Sequence, residues 1–318
     1  MKEFELIRSI LAPLAEAGPP AFGLRDDAAI LTPPPRTELV LAKDMMVAGV
    51  HFFPDDAPEL VARKLLRVNL SDLAATGATP VGYLLGLAFA DGIDESYARR
   101  FAHGLARDQQ EFGCRLLGGD TVAGAARLVL SLTALGHVPA GAALHRAGAT
   151  PDDLVFVSGT IGDAALALLA LRGAGIADPV LTDRYYLPTP RLALGAALRG
   201  IATAAIDVSD GLAADLGHLC RESGVGAEVE VARLPLSPAV RARLDADPRL
   251  IATVLSGGDD YELLFTAPAA RRREIEAAAV RAGVAVSEIG RITAQEGVSI
   301  RDGDGSLIPL DRPGFEHR

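Results

Sequence analysis

Aspartates recur in this sequence where apolar segments give way to loops. Five segments carry them: Arg25-Asp26-Asp27-Ala28, Ala42-Lys43-Asp44-Met45, Asn69-Leu70-Ser71-Asp72, Gly118-Gly119-Asp120-Thr121 and Asp207-Val208-Ser209-Asp210-Gly211. Gly257-Gly258-Asp259-Asp260 forms a sixth. Two readings compete for each. In the first, the aspartate is a turn or cap residue, with Ser209 capping a helix that Asp210-Gly211 opens. In the second, the carboxylates hold cations. Asp72 falls in the last turns of a helix that stops at Gly77, where a carboxylate opposes the helix dipole by about 0.3–1 kcal/mol. Asp44 and Asp207 directly follow apolar strands, where an ionised carboxylate needs a partner. Turn preference explains neither placement, and a bound cation explains both.

The accompanying donors are oxygens from Asp, Ser, Thr and Asn, with no His/Cys cluster beside them. Hard oxygen ligands suit Mg²⁺ or Ca²⁺, and carboxylates gathered around a phosphate suit Mg²⁺. Gly118-Gly119 offers backbone that can approach a phosphate closely. Residues and spacing alone therefore point to a Mg²⁺-dependent site for a polyphosphate. That site is built without a P-loop, since no lysine follows a glycine. The kinase HRD and DFG motifs, a full GxGxxG, GxSxG and HExxH are also absent. Gly159-Thr160-Ile161-Gly162-Asp163 is either a tight strand-to-helix turn or a further phosphate cradle. His103, His137, His145, His218 and His317 show no ligand spacing.

Those residues need a scaffold, and the composition supplies one. The chain has 318 residues, 49% hydrophobic and 23% charged, with net charge −10. That describes a globular protein of about two domains. The acidic balance and the lack of a basic stripe disfavour nucleic acid. Cys114 and Cys220 are the only cysteines. They leave no zinc ribbon or disulfide framework, and a reducing cytoplasm fits best. The acidic start Met1-Lys2-Glu3-Phe4-Glu5 does not read as a signal peptide. The longest apolar run, Ala164 to Leu171, is far short of the ~20 residues of a membrane span.

Periodicity predicts helices over 4–14, 59–76, 95–112, 164–171, 212–220 and 269–282. It predicts strands over 28–31, 39–42, 81–90, 114–117, 128–136, 154–157, 203–208, 228–231, 261–266 and 284–289, with a hairpin turn at 302–305. Gly141 to Pro151 reads as a linker. Mixed strands and helices on both sides of it predict two α/β domains, residues 1–140 and 141–318.

The aspartate segments, in this order and separation, resemble the thiamine-monophosphate kinases of the aminoimidazole ribonucleotide synthetase-like superfamily. The resemblance runs through nearly the whole chain. It includes Glu3-Phe4-Glu5-Leu6-Ile7, Asp44-Met45-Met46-Val47-Ala48-Gly49-Val50-His51-Phe52, Asn69-Leu70-Ser71-Asp72-Leu73-Ala74-Ala75, Arg146-Ala147-Gly148-Ala149, Ile206-Asp207-Val208-Ser209-Asp210-Gly211-Leu212 and Gly257-Gly258-Asp259-Asp260-Tyr261-Glu262-Leu263. It implies a two-domain α/β (α+β) fold of mixed sheets flanked by helices, with ATP between the domains and an N-terminal domain that pairs in a homodimer. The implied reaction is ATP plus thiamine monophosphate to ADP plus thiamine diphosphate, with Mg²⁺. Carried over, Asp27, Asp44, Asp72, Asp120, Asp207 and Asp210 would hold several Mg²⁺ ions. Gly119, Asp120, Arg146 and Ser209 would contact ATP, and His51, Asp259 and Phe315 the thiamine phosphate.

The chain departs from that pattern twice. Ala42-Lys43 stands where two small hydroxyl residues are usual, and Asp259 where Glu is more frequent. Lys43 is either a solvent-facing lysine or an ammonium that contacts ATP and replaces part of one ion's role. The acceptor would be a phosphate oxygen, already ionised, so the resemblance implies no catalytic base. The alternatives are another ATP-dependent synthetase of the same superfamily and a non-catalytic nucleotide-binding module. A selenophosphate synthetase would want a reactive cysteine near the N-terminus, and none precedes Cys114.

Overall fold

The computed structural model describes residues 3–90 and 94–315. Met1, Lys2 and His317 of the sequence reading lie outside them. The chain divides into two compact units, Met1–Leu73 with Ala78–Gly141, and Ala74–Gly77 with Ala142–Arg318.

The first unit runs α1 (Glu3–Leu6), β1 (Thr37–Val47), α2 (Pro58–Ala75), β2 (Thr79–Ala90), α3 (Glu95–Phe112), β3 (Arg115–Ala125) and β4 (Val129–Pro139). Its sheet has the order β1-β4-β2-β3, with β4 antiparallel to both neighbours and β2 parallel to β3. Asp94 caps α3 by accepting the Tyr97 N–H, and Gly113 ends it in a left-handed turn. On α2, Leu65, Leu66, Leu70 and Leu73 are essentially inaccessible. A buried ion cluster ties α2 to α3: Arg63 and Arg67 both grip Asp108, at 2.7 and 2.6 Å. The other face of the sheet displays Leu39, Leu41, Met45, Leu84 and Val122, each 41–64% exposed.

Two expectations change here. The predicted helix over 4–14 is a short α turn followed by a wide turn at Ile7–Leu11 and a tight one at Ala12–Leu14. Pro13 has no N–H to continue a regular helix. The apolar stretch Ala28–Leu31 forms no strand. Apolar residues alone do not make a strand without a ladder partner.

The second unit runs β5 (Leu154–Ser158), α4 (Asp163–Leu171), α5 (Pro179–Tyr186), α6 (Leu192–Leu198), β6 (Ala204–Asp207), α7 (Leu212–Ser223), β7 (Gly226–Glu230), α8 (Pro238–Ala246), α9 (Ile251–Ser256), β8 (Leu263–Ala267), α10 (Arg272–Ala282), β9 (Val286–Thr293) and β10 (Gly297–Arg301). Its sheet has the order β10-β7-β9-β5-β8-β6 and is antiparallel except between β10 and β7. Central strands β5 and β8 are buried along their whole length, and Phe156 stacks on Phe265 at 5.3 Å. Both units are therefore mixed α/β layers, the fold class that the sequence indicates.

Candidate functional site

Sheet register sorts the first unit's candidates onto two faces. Lys43 aligns with Thr133, Leu84 and Gly118, and Met45 with Ser131, Gly86 and Asp120. Asp44, between them, aligns with Leu132, Leu85 and Gly119. Aligned residues share a face, and neighbours along a strand alternate. Lys43 and Asp120 therefore lie on the face that displays Met45 and Leu84. Asp44 lies on the opposite face, with the buried Leu132 and Leu85.

On the first face is a groove of about 750 Å³. Its walls include Asp26, Asp27, Lys43, Gly118, Gly119 and Asp120. Lys43 does not extend into solvent alone. Its ammonium donates to Ser131 Oγ at 2.5 Å. Gly119 has a steric reason to be glycine, because a Cβ there would sit 1.9 Å from the Leu85 carbonyl oxygen. A Cβ would push β3 away from β2 at the residue before Asp120.

On the second face, Asp44 is tied to α2. The side chain of Asn69, wholly buried, accepts the Asp44 backbone N–H at 3.0 Å and donates to the Leu65 carbonyl at 2.8 Å. Asp72 follows three residues later on the same helix. Asn69 thus couples the strand bearing one candidate ligand to the helix bearing another. Nothing local in the Asn69-Leu70-Ser71-Asp72 segment signals this contact, which spans 25 residues. His51 lies in the turn after β1, and its Nδ1 accepts the Val47 N–H at 3.0 Å, so the neutral ring carries its proton on Nε2.

Two strand-end expectations are corrected. Asp44 and Asp120 lie within β1 and β3, because both strands run beyond their apolar stretches. Asp207 does close β6 and is 3% exposed.

The second unit gathers another set. Behind β6, Asp215 Oδ2 accepts the N–H groups of Asp210 and Gly211, both at 3.0 Å. Burial, with Asp207 and Asp210 nearby, pushes the Asp215 carboxyl up to about 8. Ligand atoms of Asp210, Asp215 and His218 lie within 4.8 Å of one another. Arg221 Nη2 is 2.6 Å from His218 Nδ1, and burial together with that charge lowers the ring's basicity. His218, expected to have no ligand spacing, is thus corrected to a neighbour of Asp210, and Asp215 is a further residue to which the sequence drew no attention. The signal was a carboxylate and an imidazole three residues apart on one helix face, read against Asp210.

Three backbone contacts order the remaining candidates. Asp259 donates its N–H to the Ser209 carbonyl at 2.9 Å, and Phe315 its N–H to the Asp210 carbonyl at 3.0 Å. Ser223 Oγ reaches the Arg146 carbonyl at 3.3 Å. The Arg146 side chain is exposed and that of Phe315 is half-exposed. Both cysteines are buried, and burial raises Cys114 to about 12 and Cys220 to about 11, which disfavours the reactive thiolate.

The donor set fits Mg²⁺. The first unit's groove is lined by four carboxylates, Glu3, Asp26, Asp27 and Asp120, with the Lys43 ammonium, and all the donors are hard oxygens. Among the described residues no helix is long and apolar enough to cross a membrane.

Residues 25–138 match AIR synthase related protein, N-terminal domain, and residues 150–303 match the C-terminal domain of the same family. The thiamine-monophosphate kinase of Caulobacter vibrioides (strain ATCC 19089 / CIP 103742 / CB 15) is 48% identical over 301 residues, 93% of this chain and 86% of that one. The crystal structure of thiamine-monophosphate kinase from Stenotrophomonas maltophilia K279a superposes with a TM-score of 0.81 at 41% identity, covering 90% of this chain and 91% of that one. AaThiL complexed with AMPPCP and TMP gives a TM-score of 0.78 at 32% identity, covering 97% and 98%.

Proposed function

The chain belongs to the thiamine-monophosphate kinase family, within the AIR synthase related proteins, and from that membership we infer that it phosphorylates thiamine monophosphate with ATP. The products are ADP and thiamine diphosphate. A phosphate oxygen of thiamine monophosphate attacks the γ-phosphorus, and the bond from that phosphorus to the ADP oxygen breaks. The attacking oxygen is already ionised near neutral pH, so no side chain need remove a proton. The chain's task is alignment of two anions and relief of their repulsion.

Asp27, Asp44, Asp72, Asp120, Asp207 and Asp210 hold Mg²⁺ in this reading. Bound Mg²⁺ would neutralise phosphate charge and reverse the sign of the aspartate-rich site. Gly119, Asp120, Lys43, Arg146 and Ser209 contact ATP. His51 presents its Nε2–H to the thiamine phosphate, and Asp259 and Phe315 complete the hold on that substrate. What supports the metal assignment is the oxygen-only donor set, with Asp26, Asp27 and Asp120 in one groove. The Lys43 ammonium in that groove supports its contact with phosphate. The uncovered apolar face of Leu39, Leu41, Met45, Leu84 and Val122 supports a homodimer formed through the first unit. The enzyme works in the cytoplasm in this reading.

The observation that carries the reading is the identity to a thiamine-monophosphate kinase over nearly the whole chain. The test is incubation of the protein with ATP, Mg²⁺ and thiamine monophosphate, followed by chromatography. Thiamine diphosphate and ADP should appear in equal amounts. ADP with inorganic phosphate and no thiamine diphosphate would reject the reading.

A further inference from the structure

A carboxylate of the second unit that accepts several hydrogen bonds belongs to a residue with no role so far, Glu262. It is 0% exposed and immediately precedes β8. Arg184 Nη2 donates to its Oε1 at 2.6 Å, while Arg191 Nε and Ser158 Oγ donate to Oε2, each at 2.6 Å. Arg191 adds a second bond, from Nη2 to Oε1, which makes its grip bidentate. Ser158 Oγ in turn accepts the Leu263 N–H at 2.8 Å. Gly159, with φ +55, leaves room for this carboxylate, since a Cβ would lie 2.1 Å from Oε1.

The turn just before Glu262 is strained. Asp259 and Tyr261 have φ values of +63 and +51, which side-chain-bearing residues rarely adopt. Such backbone persists only where its surroundings over-determine it, and it concentrates at functional sites. Here the surroundings are explicit. Asp259 N–H bonds the Ser209 carbonyl, Tyr261 N–H the Val208 carbonyl, and Val208 N–H the Glu262 carbonyl, at 2.8–2.9 Å. Tyr261 Oη donates to Asp259 Oδ1 at 3.2 Å. Asp260, 3% exposed, accepts the Gly162 N–H at 2.9 Å. The turn presents Asp259 on one side and backs the Ser209–Asp210 loop on the other.

A buried ion pair adds little net stability over well-packed apolar side chains of similar volume. It does fix orientation, and Arg191 and Arg184 reach Glu262 from 71 and 78 residues away in sequence. We propose that Glu262, held by Arg184, Arg191 and Ser158, is a positioning centre that sets the 258–261 turn and thereby aims the Asp259 carboxylate and the Ser209 loop at their substrates. The proposal rests on the assignment of Asp259 to thiamine phosphate and Ser209 to ATP. Glu262 is fully buried and acts through these two residues.

The test compares steady-state kinetics and thermal midpoints of Arg191→Lys and Glu262→Gln with those of Asp259→Asn and Ser209→Ala. Lysine keeps the charge at 191 but loses the planar fork. Arg191→Lys should raise KM for both substrates about fivefold to tenfold, the scale of one ordinary net hydrogen bond. Its kcat should change less than KM. Its thermal midpoint should fall by only a few degrees, which keeps the proposal testable if Glu262→Gln does not fold. If Asp259→Asn and Ser209→Ala raise KM while Arg191→Lys lowers only the midpoint, the positioning role is wrong and the substrate assignments stand. If Asp259→Asn and Ser209→Ala leave both KM values unchanged, the assignments fail and the positioning role fails with them.

Discussion

Asn69→Ala probes the link between the two carboxylate-bearing elements of the first unit. The wild-type side chain is fully buried and uses both ends of its amide, toward the Asp44 N–H and the Leu65 carbonyl. Alanine removes two bonds of about 0.5–1.5 kcal/mol net each. It also removes the partner that the Asp44 N–H has on edge strand β1, and an unsatisfied buried N–H costs about 1–3 kcal/mol. The sum is roughly 2–6 kcal/mol. For a domain of this size each kcal/mol lowers the melting midpoint by about 2–4 °C, so a fall on the order of 10 °C is expected. A second effect separates positioning from bulk stability. Mg²⁺ stabilises the folded state in proportion to RT ln(1 + [Mg²⁺]/Kd). With Asp44 no longer anchored to α2, the upward shift that Mg²⁺ gives the midpoint should shrink. Scanning fluorimetry across a Mg²⁺ series measures both effects. An unmoved midpoint together with an undiminished Mg²⁺ shift would refute the coupling.

Gly119→Ala should displace β3 from β2, because its Cβ would overlap the Leu85 carbonyl; the expected result is a raised KM for ATP and a lowered midpoint. Unchanged values for both would mean that the strands separate there without consequence. Burial raises the Asp260 carboxyl well above 3.8, so the unfolded chain loses this proton first as pH rises. The folded state therefore loses stability from about pH 4 upward until its own higher value is passed. Asp260→Asn should remove that loss, so urea midpoints of variant and parent should diverge as pH rises; a pH-independent difference would contradict the neutral form. Tyr261→Phe deletes the hydroxyl that reaches Asp259 and should raise KM for thiamine monophosphate by a few-fold, the scale of about 0.5–1.5 kcal/mol, with kcat little changed.

Much of the fold was legible because its signals are local. The apolar side of α2 and the Gly77 stop defined that helix, and the β5 and β8 runs are apolar enough to read as buried strands. Helices α5 and α8 were missed although each carries a start signal, Asp178-Pro179 and Ser237-Pro238, with the cap oxygen accepting backbone N–H groups as the pairing suggests. Both are short, eight and nine residues, and their apolar stripes are weak. Strand β10 does not stand out in the sequence because its five residues are of mixed character and its ladder partner β7 lies far away in the chain. The candidate site divides in the same way. Aspartates at the edges of apolar segments announce themselves. The side chains that steer them do not, because Asn69 reaches Asp44 across 25 residues and Ser158 reaches Glu262 across 104. Such partners become visible only when strands are in register.

Phosphoryl transfer here depends on whether aspartate carboxylates hold the Mg²⁺ that it needs. The decisive measurement is the Mg²⁺ dependence of thiamine diphosphate formation by Asp72→Asn beside the parent enzyme. Asp72 is only partly buried and sits on a helix held by its own core. The amide keeps its size and loses its charge. The half-saturating Mg²⁺ concentration should rise at least tenfold, the scale of about 1.4 kcal/mol or more of lost binding, with activity returning in part at high Mg²⁺. Full activity of Asp72→Asn at low Mg²⁺ would contradict it.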